Sequence, residues 1–233
     1  MDEIKNIINE IMDDIRKRRE SIKEIPGIPE RCINCFDGEF LIQNLPFTCE
    51  FFSEFSCPIF KEEIKENIGK IFLNTSIDKV EESARAILLS YLSNIKKMVR
   101  EGRGLNILGP IGVGKTSIIV LIIQKIFKER YSFRYFHIKS FLDSQIENIN
   151  FNAFSFLFID DLGSEYLNEK NSSFINYVID LRYRFMLPTI ITSNLSERDL
   201  RGRYPRAMDR LFNRNIKINL EGASRRSRIK NDF

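Results

Sequence analysis

The sequence predicts an α/β protein in which a parallel five-stranded sheet is covered by helices on both faces and preceded by a small cysteine-bearing module. Three observations predict it. Five short apolar runs recur from Gly104 onward, at Gly104–Leu108, Phe133–Ile138, Phe154–Ile159, Thr189–Ser193 and Ile216–Leu220. Apolar runs of this length separated by helical patterns imply a parallel sheet covered on both faces. A glycine-rich loop stands between the first run and a helical pattern, and all four cysteines precede residue 58.

The elements follow in order. Residues 1 to 24 put Ile4, Ile7, Ile8, Ile11, Met12 and Ile15 on one helical stripe, with Asp2 and Glu3 in the first turn and Arg16 to Arg19 in the last, as the helix dipole prefers. Pro26 and Pro29 end this amphipathic helix. The segment carrying Cys32, Cys35, Cys49 and Cys57 comes next, and the charged stretch Lys61 to Lys70 reads as a short helix or linker. This predicts an N-terminal module over residues 1–66 and a core over 67–233. In the core, helices are expected at Asp78 to Arg100 and Thr116 to Arg130, on either side of the first strand and its loop.

Composition excludes several classes. With 36 Lys+Arg against 32 Asp+Glu and 43% hydrophobic residues, the chain is neither disordered nor collagen-like. Its longest aliphatic run, Ile118 to Ile123, falls far short of the roughly 20 residues that span a bilayer. The N-terminus is charged from Asp2 onward and lacks a signal-peptide core, so a soluble cytoplasmic protein without a membrane partner is expected. Residues 198–233 hold 11 Lys/Arg and 4 Asp/Glu, which gathers the positive charge at one end, where it can face phosphates.

Gly109-Pro110-Ile111-Gly112-Val113-Gly114-Lys115-Thr116 is a complete G-x-x-x-x-G-K-[ST] loop between a strand and a helix, the setting this motif requires. Glycines let the backbone turn tightly and present successive N–H groups to a β-phosphate, and the following helix adds its positive end. Lys115 reaches the β- and γ-phosphates, the Thr116 hydroxyl serves Mg²⁺, and Ser117 completes the nucleotide-binding set. A nucleoside triphosphatase also needs an acid at the end of a neighbouring buried strand. Phe156-Leu157-Phe158-Ile159-Asp160-Asp161 supplies two: Asp160 for the Mg²⁺ side and Asp161 to polarise the attacking water, with Glu165 as a second candidate base. Asn194, at the polar tip of the fourth run, is placed to orient that water, although a Ser-Asn strand end is also ordinary turn chemistry.

Together these stretches resemble the AAA+ ATPases, and within them the DnaC/DnaI-type replicative helicase loaders and the related transposase helper IstB. The likeness runs over roughly residues 68 to 230 and is carried by Glu101-Gly102-Arg103-Gly104-Leu105, Ile159-Asp160-Asp161-Leu162-Gly163, Leu187 to Leu195, Asp209-Arg210-Leu211 and Gly222-Ala223-Ser224-Arg225-Arg226. The resemblance implies that Asn194 is sensor I, Arg210 an arginine finger acting across a subunit boundary, and Arg226 sensor II. Spacing alone leaves Arg203, Arg206, Arg210 and Arg214 all open as the finger. Only 13 residues, 221–233, follow the last strand, so a minimal lid is expected.

Four thiols in a reducing compartment favour metal over disulfides, and Cys32-x2-Cys35 with the later Cys49 and Cys57 suits tetrahedral Zn²⁺. Free buried thiols or an iron–sulfur cluster remain as alternatives. His137, distant in sequence, reads as a core or edge histidine rather than another ligand. The resemblance therefore implies a loader that binds the replicative DNA helicase through its N-terminal module. Its AAA+ core would bind ATP and single-stranded DNA and self-associate, with weak, assembly-dependent hydrolysis. An IstB-like transposition helper and a nucleotide-regulated adaptor with little hydrolysis are the rival readings.

Overall fold

The computed structural model describes residues 39–42, 45–48, 61, 64–129, 131–143, 149–166 and 168–224, the first two stretches by backbone alone. The chain divides into two compact units, Met1–Leu73 and Asn74–Phe233. In the first unit, β1 (Glu39–Ile42) and β2 (Leu45–Thr48) pair antiparallel, with Ile42 opposite Leu45. This hairpin was not anticipated, although two residues between two short apolar runs is a hairpin spacing. Helical turns at Lys65–Gly69 and Lys70–Phe72 occupy the charged stretch. Cys32, Cys35, Cys49, Cys57, the stripe of residues 1 to 24, and Arg225 and Arg226 lie outside the described residues.

The second unit opens with α1 (Glu82–Ser93) and α2 (Ile95–Glu101) where one helix was expected. Asn94 separates them at φ −107°, ψ 22°, and its side-chain amide donates to Ser90 O at 2.9 Å. An asparagine that hydrogen-bonds backbone locally competes with helix continuation, which accounts for the break. Then come β3 (Leu105–Leu108), α3 (Lys115–Lys128), β4 (Phe133–His137), α4 (Ile138–Asp143), β5 (Phe156–Asp160), α5 (Glu169–Arg184), β6 (Thr189–Ser193), α6 (Glu197–Arg203), α7 (Pro205–Arg214) and β7 (Ile216–Asn219). All five expected strands form one sheet in the order β4-β5-β6-β3-β7, and every pair is parallel. The five-stranded parallel sheet is the one that the five apolar runs predict.

Strand alternation sends side chains of β5 to two cores. Leu157 and Ile159 join a cluster with Ile138 and Phe141 of α4, Ile175, Val178 and Ile179 of α5, Leu200 of α6 and Met208 and Leu211 of α7. Phe156 and Phe158 stack on the other side, where Phe133 of β4 meets the Phe158 ring edge-on. Helix α3 buries Ile118, Ile119, Ile122, Ile123 and Ile126 completely or nearly so, each worth about 1.5–3 kcal/mol on removal from water. Because the strands are parallel, their C-terminal ends share one edge, and from β3 the chain crosses to β4 at one side of the sheet and returns through β5 and β6 to β7 on the other side of β3. Ligands of open α/β sheets bind at such an edge and switch point. No helix among the described residues is long and apolar enough to cross a membrane.

Candidate functional site

The loop after β3 leaves no room for side chains where glycine stands. A Cβ on Gly109 (φ 154°) would lie 2.5 Å from Leu220 O, and one on Gly112 (φ 81°) would lie 2.1 Å from Ser224 Oγ. Gly114, at φ 110°, caps α3, so the loop's N–H groups precede the positive end of that helix. Pro110 and Ile111 are exposed, Val113 is buried, and Thr116 and Ser117 are half-buried on the first turn of α3. Lys115 is only 7% exposed, and its ammonium donates to Gly109 O at 2.8 Å, Pro110 O at 2.7 Å and Asn194 Oδ1 at 2.5 Å.

The parallel register sets the acids beside the loop. Asp160, 4% exposed, ends β5 and accepts hydroxyl hydrogen bonds from three elements. Thr116 Oγ1 of α3 and Tyr135 OH of β4 donate to its Oδ2 at 3.0 and 2.8 Å, and Thr192 Oγ1 of β6 donates to Oδ1. Asp161 follows at φ 62°, a left-handed conformation that costs a non-glycine residue of order 1 kcal/mol or more. Its backbone N–H donates to Thr192 Oγ1 at 2.8 Å, and its Oδ1 accepts from Asn194 Nδ2 at 2.6 Å. A continuous polar chain thus runs from Lys115 through Asn194 to Asp161.

His137 extends that chain. It ends β4, the edge strand, and its Nε2 lies 3.8 Å from Asp161 Oδ2. A core or an edge position was expected and the edge is found, whereas the contact was not expected, because nothing in the sequence sets β4 beside β5. Tyr135 and Thr192 were missed for the same reason. Glu165 is 7% exposed and turns back onto its own loop: Oε2 accepts the Gly163 N–H at 2.8 Å while Oε1 has no partner among the described residues. Burial raises its carboxyl above the usual carboxylate range, against the lowering pull of backbone hydrogen bonds and Arg203. Asp161 is closer to the phosphate loop's own hydrogen-bond chain, whereas Glu165 is tied to Gly163.

The arginines divide by what holds them. Arg203 donates to Gly163 O at 2.9 Å, and Arg214 donates to Tyr183 O at 2.7 Å with its guanidinium 3.8 Å from the Tyr183 ring centre. Arg210 pairs with Asp180 of its own α5 at 2.6 Å. Arg206, one turn before Arg210 on α7, is exposed and its guanidinium has no partner among the described residues. The basic C-terminal end is also partly neutralised, since Glu197 takes both Arg201 and Lys217 at 3.0 and 3.1 Å.

The residues fit a nucleoside triphosphate with Mg²⁺. A lysine, a helix N-terminus and side-chain-free backbone suit the phosphates, and the Thr116–Asp160 pair suits a cation that takes one or two protein ligands. Among the described residues no group of three or more His, Cys, Asp and Glu gathers for a metal.

Solved structures share this architecture. The "DnaC helicase loader" superposes with TM-score 0.57 at 24% identity, covering 65% of this chain and 99% of that one. "DnaI" superposes with TM-score 0.54 at 22% identity, covering 67% and 93%. The chain shares the fold of these two structures. The "replication initiator DnaA bound to AMPPCP and single-stranded DNA" follows with TM-score 0.54 at 18% identity, covering 64% of this chain and 50% of the other. No protein-family model and no curated protein matches the sequence.

Proposed function

We propose that this chain is an ATP-dependent loader of a replicative DNA helicase. The observation that carries the reading is the convergence of Lys115, Thr116, Asp160, Asp161 and Asn194 at one sheet edge, on the fold of DnaC and DnaI. Bound Mg²⁺ would neutralise developing phosphate charge, held on the protein side by Thr116 and Asp160. Lys115 exchanges its three oxygen partners for phosphate oxygens, which releases Asn194. Freed, Asn194 orients the attacking water, and Asp161 takes its proton, with Glu165 in reserve.

A guanidinium from a neighbouring copy would complete the site, because a planar, permanently charged fork suits a γ-phosphate in transfer. Arg210 must leave Asp180 to do this, whereas Arg206 is already presented, so the trans-acting face of α7 carries both. Arg226 acts as sensor II from the C-terminal segment. Residues 1–66 form the helicase-binding arm, with Zn²⁺ on Cys32, Cys35, Cys49 and Cys57.

Calorimetric titration with Mg²⁺–ATP, steady-state hydrolysis with and without single-stranded DNA, and gel filtration with a hexameric replicative helicase test the reading together. Binding, DNA-stimulated turnover and a helicase complex are expected. Absence of ATP binding removes it, and binding without turnover favours the adaptor. Metal analysis should find about one zinc per chain, lost in Cys32→Ser; less than about a tenth would remove zinc.

A further inference from the structure

The Asp160 carboxylate is held by more than its family of phosphate-site partners. Register pairs Tyr135 of β4 with Phe158 of β5, and side chains two residues apart share a strand face. A tyrosine side chain is long enough to lean from the Phe158 level to Asp160, and the hydroxyl arrives 2.8 Å from Oδ2. Tyrosine at the polar end of an edge strand ordinarily puts its hydroxyl in water, yet here it points inward at a carboxylate 4% exposed.

The opposite oxygen is fixed as firmly. Thr192 Oγ1 receives the Asp161 N–H and so directs its own proton to Asp160 Oδ1. Thr116 is the third donor, and its oxygen keeps lone pairs for a cation while its proton stays on Oδ2.

We propose that Tyr135 is a positioning residue for the Mg²⁺ side of the site, locking the Asp160 carboxylate, opposite Thr192, so that Oδ2 faces Thr116. The inference rests on the Mg²⁺–ATP reading above. Without the phenol, Oδ2 is tied by Thr116 alone, and the carboxylate gains freedom to rotate just where a small cation with strict octahedral demands must find it. Removing an outer-shell hydrogen bond of this kind weakens metal affinity about tenfold or more.

The experiment is ATP titration of the full chain in EDTA and across a Mg²⁺ series, for wild type, Tyr135→Phe and Thr192→Val. Tyr135→Phe keeps the ring, so its melting temperature should match wild type. Its ATP affinity in EDTA should also be unchanged, while the Mg²⁺ concentration giving half the metal-dependent gain should rise about tenfold. Thr192→Val should shift the same midpoint in the same direction. An unaltered Mg²⁺ midpoint in Tyr135→Phe overturns the inference and leaves the nucleotide reading standing. A wild-type protein that binds no ATP, or binds it without response to Mg²⁺, overturns the nucleotide reading and this inference with it.

Discussion

The two ends of the sheet both bury charged groups, and they differ in what holds those groups. At the N-terminal edge, Arg182 of α5 is fully buried and gives its donors to five neutral oxygens: Thr189 Oγ1 and the carbonyls of Phe151, Phe154, Ser155 and Pro188, at 2.5–3.2 Å. Beside it, Asn215 accepts the Gly104 N–H at 2.9 Å and donates to Asn106 Oδ1 and Thr189 O, while Asn106 donates to Leu211 O. At the C-terminal edge, Asp161 sits in left-handed backbone, Glu165 Oε1 has no partner among the described residues, and Lys115 is bonded to groups that a phosphate would displace. A closed network locks the starts of β3, β5, β6 and β7 together. An open one at the other edge is available for chemistry, and strain persists there because the rigid sheet beneath over-determines it.

Disrupting the closed end should have the largest effect on stability. Arg182→Ala takes the donor from five oxygens, three of them in buried hydrogen bonds, and leaves a cavity, so unfolding free energy should fall by about 4 kcal/mol or more, read by chemical denaturation. Burial without a counter-charge also pulls the guanidinium down to about 9, so the wild-type protein binds fewer protons folded than unfolded above that pH. Through this group unfolding becomes easier as pH falls from above 12 toward 9, a contribution read as the difference in pH slope between wild type and Arg182→Met.

At the open end the order reverses, with large functional and small structural effects. Lys115→Ala should lower ATP affinity at least tenfold, about 1.4 kcal/mol, with the melting temperature nearly unchanged; equal affinity in calorimetry would remove the phosphate-loop assignment. Asp161→Asn should keep ATP binding and cut turnover by about a hundredfold or more, in the range of a lost general base. If instead Glu165→Gln abolishes turnover and Asp161→Asn does not, the two acids exchange roles.

Assembly offers a finer comparison within α7. Arg206→Ala and Arg210→Ala should each bind ATP, and whichever is the finger should restore some activity when mixed with Lys115→Ala protein. Rescue by neither would count against a trans-acting arginine on α7.

The smallest effect should come from Glu165→Gln. Its raised carboxyl means that the folded wild type holds a proton the unfolded chain has released, so stability is highest below the unfolded value near 4.3 and declines as pH rises through the folded one. The glutamine variant should lack that decline, read as melting temperature against pH.

The five strands, the glycine-rich loop after β3 and the strand-end positions of Asp160, Asp161 and Asn194 were legible in sequence because each is a local pattern: an apolar run, a glycine spacing, an acid or amide at a strand end. Helix α5 was legible in principle, since Ile175, Val178, Ile179 and Arg182 recur at helical spacing, but an arginine on the buried stripe hides the period. The break at Asn94 turned on one residue's local hydrogen bond. Tyr135, His137, Thr192 and the Arg210–Asp180 pair could not be read along the chain at all. Their partners are set by strand order and register, which follow from how parallel strands and their covering helices close two cores at once, and no stretch of sequence encodes that order locally.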